Sequence, residues 1–331
     1  MSDSSKSTHF ILLGASGDLA QKKILPTLAT QHSLEITLWS RKALILKEKK
    51  QYNLIQASYI DKDIWQTLLN KNQNKRLIIY LALPPISYLD ILRSLDQCLE
   101  NLIVGVDVVI EKPFATSSQN MKSIIELINS CSNLKKRVHF FDHFLFKDNL
   151  EVAVPQAPKP LLKSVICRLL ETIDIKGRVA FYDQTGATQD MISHLMFYAQ
   201  IFCGEMGYED KFQWGKYKIT RYQVSQYPGY NDNPELLGKL SDTETFFDLE
   251  LSNPDLNPSK IQLISGKKQP ERVWDINVNG VNYDLLPSRK NEHLNMIEAL
   301  EVLDYSKFVT YNQALEMWEL IDRIQGFKLQ S

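Results

Sequence analysis

The sequence predicts an α/β domain built on a parallel sheet, followed by an α+β domain with a mainly antiparallel sheet. Three observations carry this. Up to about residue 150, short apolar runs alternate with segments of helical spacing, the grammar of β-α-β units. Beyond that point the strands alternate apolar and polar residues, as on a sheet with one wet face. The length, 331 residues, corresponds to two domains at roughly 150 residues each. The expected division is a short disordered lead-in at 1–8, a first domain at 9–150 and a second at 151–331. Pro155, Pro158 and Pro160 mark the joint.

Each element has its own justification. His9–Leu13, Glu35–Trp39, Leu77–Leu83, Gly105–Ile110 and Val138–Phe141 are nearly continuous apolar runs, suited to strands buried on both faces. Leu89, Leu92 and Leu95, and Ile124, Ile125 and Ile128, repeat at helical spacing between them. In the second half Phe247, Leu249 and Leu251 alternate with Asp248 and Glu250, predicting a half-buried strand. Asn279-Gly280 between Ile276/Val278 and Val281/Tyr283 predicts a two-residue hairpin, because both turn positions need positive φ. Ala314, Met317, Trp318, Ile321 and Ile324 form one stripe of a closing helix.

Composition excludes several functions. Lys and Arg total 38 and Asp and Glu 39, so the net charge of -1 gives no general attraction to nucleic acid or an anionic membrane. No apolar run reaches the roughly 18–20 residues of a membrane helix. The polar Met1–Thr8 lacks the apolar stretch of a signal peptide. Cys98, Cys131, Cys167 and Cys203 are scattered and form no C-x-x-C pair, so neither a disulfide framework nor a metal site is expected. A cytoplasmic setting fits best.

The first chemistry-bearing motif follows the first strand. Phe10–Leu13 runs into Gly14-Ala15-Ser16-Gly17-Asp18-Leu19-Ala20 and a helix start. Glycines at such a turn let the backbone approach a pyrophosphate, and the helix N-terminus offers it free N–H groups. A plain strand-helix turn is the duller reading, but the flanking grammar favours a Rossmann dinucleotide-binding domain. Gly14, Ser16, Gly17, Asp18 and Leu19 are the expected contacts. At the end of the second strand, where an NAD site carries an acidic residue, this chain has Ser40-Arg41-Lys42. Two cations and a hydroxyl suit a 2′-phosphate, so NADP is expected over NAD.

These residues, with later ones in the same order, resemble the glucose-6-phosphate dehydrogenase family. The resemblance rests on Gly14–Ala20, Leu81–Pro85, Glu111–Phe114, Asp142–Lys147, Tyr182-Asp183 before Asp190 and His194, Thr243–Phe246, Gly266-Lys267 and the Phe308–Ile324 region. It implies an enzyme that oxidises a sugar lactol to a lactone. His194 would be the base, Asp142 its orienting partner, and Lys112 the holder of the reacting hydroxyl, next to a Pro113 that follows a cis bond. Lys112, Leu83 and Pro84 would complete the cofactor site. His143 and Lys147 would bind the substrate phosphate, Glu171 and Asp190 sugar hydroxyls, and Lys267 and Arg272 would complete that pocket. A homodimer is expected by the same resemblance. Taken alone, His143 among phenylalanines reads as a core histidine, and His194 beside Leu195 and Tyr198 as a structural one; His9, His32, His139 and His293 receive no role.

The chain departs from the family pattern at the substrate end. Phe140 stands for an arginine, Phe144 for a tyrosine whose hydroxyl would meet phosphate, and Phe146 for a glycine. Asp190 and His194 are four apart, one residue closer than in the family, and one deletion rotates a helix by about 100°. The chain is also shorter than typical members. A retained nicotinamide site with an altered sugar substrate is therefore expected. Two other readings stay open: a Gfo/Idh-type oxidoreductase, for which Glu111–Ser117 would also serve, and a degenerate homologue that binds nucleotide or sugar without turnover.

Overall fold

A computed structural model describes residues 7–44, 46, 52–99, 105–147, 162–205, 212–285 and 291–328. The chain forms two units: residues 1–146 with 290–315, and residues 147–289 with 316–331. Pro155, Pro158 and Pro160, the expected joint, lie outside the described residues, as do residues 1–6.

The first unit is a six-stranded sheet of β1 (Thr8–Leu13), β2 (Glu35–Ser40), β3 (Asn53–Gln56), β4 (Arg76–Leu81), β5 (Val106–Glu111) and β6 (Val138–Phe141). Its order is β3-β2-β1-β4-β5-β6 and every pair is parallel. This is the doubly wound dinucleotide-binding order. β1, β5 and β6 are buried at every position, which explains their unbroken apolar character. β3 escapes the sequence pattern because it is a four-residue edge strand with mostly exposed side chains.

Helices cover the sheet. A π-helical turn at Ala20–Ile24 runs into α1 (Leu25–Ala29), which packs with α6 (Glu292–Glu301). α2 (Lys62–Lys71), α3 (Tyr88–Cys98) and α4 (Ser118–Ser130) pack side by side. Asp61, Ser117 and Asn291 cap α2, α4 and α6 by accepting first-turn N–H bonds. The late segment 290–315 is tied back to the sheet. Val309 N–H donates to Phe140 O at 2.9 Å, and Tyr305 stacks on His139 with centroids 4.5 Å apart. Asp107 accepts from His139 Nε2 at 2.8 Å, Arg76 at 2.6 Å and Tyr305 at 3.1 Å, so His139 has a structural partner set.

The second unit is a sheet of β7 (Ser164–Leu170), β8 (Lys218–Ser225), β9 (Phe246–Ser252), β10 (Lys260–Gly266), β11 (Val273–Val278) and β12 (Val281–Asp284), in the order β12-β11-β7-β10-β9-β8. Only β7 with β10 is parallel. Alternate residues of β7 and β9 are buried, matching the alternation in the sequence. α5 (Val179–Glu205) packs on β7, β9 and β10. Asn279 and Gly280 have φ of +52° and +90°, the turn the sequence predicts. Thr243–Thr245 precede β9, and Phe246 is its first residue. α7 (Tyr311–Lys328) buries its stripe of Ala314, Met317, Trp318, Ile321 and Ile324. No described helix is long and apolar enough to cross a membrane.

Candidate active site

In a doubly wound sheet, ligands bind beyond the carboxyl ends of the strands, where the strand order reverses. Here that reversal lies between β1 and β4. Every expected site residue of the first unit leaves a strand at that edge. Gly14–Leu19 follow β1, Ser40–Lys42 close β2, Leu83 and Pro84 follow β4, Lys112 follows β5, and Asp142 and His143 follow β6.

The loop geometry is specific. Gly14 has φ +84°, and a Cβ there would lie 2.1 Å from Ala82 O. Only glycine lets the β1 and β4 exits pass so closely. Gly14 and Ala15 N–H both donate to Trp39 O, at 3.0 and 3.2 Å, and Gly17 N–H to Gly14 O at 2.8 Å. The following π-helical turn opens without a side-chain cap, leaving its first N–H groups to an anion. Ser40 Oγ donates to Ser16 Oγ at 2.8 Å and accepts from Lys42 N–H at 3.2 Å, joining the glycine loop to the basic turn. The Arg41 guanidinium lies 5.6 Å from the Tyr59 ring centroid. These residues could hold a dinucleotide. Asp18 forms an exposed ion pair with Lys22 at 2.8 Å, and Leu19 is 37% exposed.

Residues that the sequence did not single out organise this edge. Tyr88, fully buried, donates its hydroxyl toward Leu83 O at 2.8 Å and Glu111 O at 3.1 Å. It thereby ties the β4 exit to the β5 exit. Lys112 N–H donates to Phe141 O at 3.3 Å, and the Lys112–Pro113 bond is cis. The Glu111 carboxylate is buried; it accepts from Tyr80 and lies 3.8 Å from His143 Nδ1 and 3.9 Å from His293 Nε2. Burial first, then Asp142, pushes Glu111 up to about 8, against the lowering by Tyr80 and Lys112. Burial pushes His293 down to about 4. Both groups are neutral at pH 7. Asp142 is fully buried, with Oδ1 accepting from Phe144 N–H at 3.0 Å. The only sequence sign of His293 was an isolated histidine on an apolar helix face.

In the second unit, α5 bends at Gly186, whose φ is +62°. A Cβ there would lie 2.7 Å from the Glu244 carboxylate, so glycine is required by both conformation and space. Asp190 and His194 follow the bend on regular helix, and both are buried. Asp190 accepts from Tyr182 Oη at 2.8 Å and faces Arg178 at 3.6 Å. Burial first and Asp190 second hold the Tyr182 phenol far above its usual range, so Tyr182 stays a donor. Lys267 is 5% exposed and donates to the half-buried Glu171. Lys147 Nζ lies 4.7 Å and the Arg272 guanidinium 4.0 Å from the centroid of one ring, Trp274.

Comparison with known proteins gives one consistent likeness. Residues 42–151 match the model for glucose-6-phosphate dehydrogenase, NAD binding domain. The glucose-6-phosphate 1-dehydrogenase of Dickeya dadantii is 24% identical, over 83% of this chain and 70% of its own. In sequence the chain is therefore similar to glucose-6-phosphate dehydrogenases over most of its length. A solved glucose-6-phosphate dehydrogenase in complex with glucose-6-phosphate shares its fold, with a TM-score of 0.76 at 16% identity over 97% of this chain and 92% of the other. A putative myo-inositol dehydrogenase from Sinorhizobium meliloti 1021 shares it more loosely, with a TM-score of 0.62 at 10% identity over 95% of each chain.

The four-residue spacing of Asp190 and His194 has a defined consequence. The helix is regular after Gly186, so the two sit about 40° apart, on one face.

Proposed function

We propose that this chain is an NADP-dependent oxidoreductase that oxidises the lactol carbon of glucose 6-phosphate, or of a related sugar phosphate, to a lactone. The observation that carries this reading is the carboxyl edge of the first sheet. Four segments of the resemblance, and the basic turn Ser40–Lys42, leave strands there, on a fold with the dinucleotide-binding strand order.

Bound NADP would supply the hydride acceptor. Gly14, Ser16, Gly17, Asp18, Leu19, Leu83 and Pro84 would hold its pyrophosphate and nicotinamide side, and Ser40, Arg41 and Lys42 its 2′-phosphate. His194 takes the proton of the lactol hydroxyl as hydride leaves the same carbon. A neutral imidazole is suited to that task near pH 7. Asp142 is assigned to hold its tautomer and stabilise the imidazolium, and Lys112 to hold the reacting oxygen. Glu171 and Asp190 read sugar hydroxyls. His143 and Lys147 supply positive charge to the phosphate end, and Arg272 and Lys267, the latter paired with Glu171, complete the pocket. A cytoplasmic homodimer, associating through the second sheet, completes the proposal.

The test is purified protein with NADP or NAD and a panel of sugar phosphates and free polyols, followed by absorbance of reduced nicotinamide. Turnover with a sugar phosphate is expected, and His194→Asn should lower kcat by at least about a hundredfold. Unchanged turnover in that variant would remove His194 as the base. A second reading, a polyol or sugar oxidoreductase of the Gfo/Idh kind, is favoured by the loss of the Phe144 hydroxyl and the looser fold match above. It would show as turnover with unphosphorylated substrates only. Cofactor binding without any turnover would indicate the degenerate homologue.

A further inference from the structure

Sheet register brings the second unit's charged residues to one end. Leu170 of β7 pairs with Gly266 of β10 on one side and with Val273 of β11 on the other. Glu171, Lys267 and Arg272 are the next residues beyond that row, so all three project from the same end of adjacent strands. Their charges are not equivalent. Lys267 is buried and spends its ammonium on Glu171. Arg272 is exposed and has no ion pair among the described residues.

Trp274 stands two residues after Arg272. Residues two apart on a strand share a face, so the guanidinium can lie against the indole, and it does, at 4.0 Å from the centroid. Trp274 pairs with Leu169, whose side chain is on the buried face of β7. Lys147 reaches the same ring at 4.7 Å from far away in sequence. Two cations are thus held no farther apart than the sum of those two distances. Ring contacts of this kind are electrostatically attractive. They also restrict two long side chains that would otherwise lose much rotamer freedom on meeting a ligand.

We propose that Trp274 is a positioning residue that holds Lys147 and Arg272 together as a two-cation receptor for the phosphate of the sugar substrate. The inference rests on the function proposed above and deepens it. A phosphate offers one edge to the guanidinium fork and another oxygen to the ammonium. The arrangement also answers the loss of a hydroxyl at Phe144. A site short of one neutral donor is supplied instead with two preset cations. Lys267 is then a partner of Glu171 at the sugar, not a phosphate ligand.

The test compares Trp274→Leu and Trp274→Phe with the parent protein. In the Leu variant the KM for glucose 6-phosphate and the Ki of inorganic phosphate should both rise by about five- to twentyfold. The value of kcat should stay within about threefold, the KM for NADP should not move, and the Phe variant should recover most of the loss. An unchanged KM and Ki in the Leu variant overturns the proposal, and so does an equal rise in KM for unphosphorylated glucose. If the Leu variant fails to fold, Arg272→Met and Arg272→Met/Trp274→Phe complete a cycle. The effect of Trp274→Phe on phosphate Ki should shrink when Arg272 is absent; full additivity overturns the proposal. Calorimetric titration of the parent with glucose 6-phosphate separates this inference from the function beneath it. No binding by the parent removes both, whereas binding or turnover with unaffected variants removes only the role of Trp274.

Discussion

Glu111→Gln should change how stability depends on pH, most visibly above pH 6.5. Glu111 ends β5 as a buried residue, accepting from Tyr80 and facing His143 and His293. Its proton affinity rises from 4.5 to about 8 on folding, mainly through burial. Between those values the folded carboxyl keeps a proton that the unfolded chain has released. Stability therefore falls as pH rises through this window, by about 1.4 kcal/mol per pH unit. His293 acts in the opposite sense. Burial lowers it from 6.5 to about 4, so between those values the unfolded imidazole holds a proton that the folded one has shed. Stability rises with pH there, by the same amount per unit.

The two slopes cancel where the windows overlap, from 4.5 to 6.5. Above 6.5 Glu111 acts alone, and the parent protein should lose about 2 kcal/mol between pH 6.5 and 8 from this group. Gln keeps the shape and one acceptor but cannot release a proton. The variant should show no such loss above pH 6.5, and an unopposed gain of about 1.4 kcal/mol per unit below it. Urea unfolding at half-unit steps from pH 5 to 8 measures both proteins. All other titrating groups are common to the pair, so the difference in slope isolates Glu111. Parallel pH profiles would refute the reasoning, because they would mean that Glu111 is as easily ionised in the fold as in the unfolded chain.

Three further outcomes concern the same edge of the first sheet. Tyr88→Phe removes the hydroxyl shared by Leu83 O and Glu111 O and should cost about 1–3 kcal/mol in urea unfolding; it should also raise the KM for NADP with little change in kcat, and an unaltered KM would uncouple Tyr88 from the cofactor side. Gly14→Ala places a methyl 2.1 Å from Ala82 O at φ +84°, so it should lower thermal stability by at least about 2 kcal/mol and abolish nucleotide binding in a fluorescence titration; native-like binding would mean that the loop relaxes freely. Arg41→Ala should raise the KM for NADP by about ten- to a hundredfold and leave that for NAD nearly unchanged, and equal effects on the two would sink the 2′-phosphate assignment.

Much of the fold was legible because its signals are local. The unbroken apolar runs of β1, β5 and β6 reflect burial on both faces, and Asn279-Gly280 reflects a turn that needs two positive φ values. β3 was not legible, since an exposed four-residue edge strand carries no apolar run. The placing of candidate residues was legible where they follow a strand end directly, as at Gly14, Lys112 and Asp142. It was illegible where a residue acts through a partner distant in sequence. Tyr88 reaches Glu111 O across 23 positions, Asp190 is held by a tyrosine eight residues earlier, and Trp274 gathers a lysine from far upstream. An aromatic at helical or strand spacing reads as core, and nothing in its spacing reports a hydroxyl or a ring face used for electrostatics.

The two sides of the proposed site are held differently. On the proposed nucleotide side the geometry tolerates almost nothing: Gly14 cannot carry a Cβ, and Ser16, Ser40 and Lys42 are linked by hydrogen bonds of 2.8 and 3.2 Å. On the proposed substrate side Asp190 is anchored by Tyr182 and Arg178. His194 lies one turn further on the same regular helix, about 40° round from Asp190. A helix clamped at Asp190 carries His194 in a fixed direction, so the contacts that hold the proposed sugar-reading carboxylate also set the aim of the proposed base.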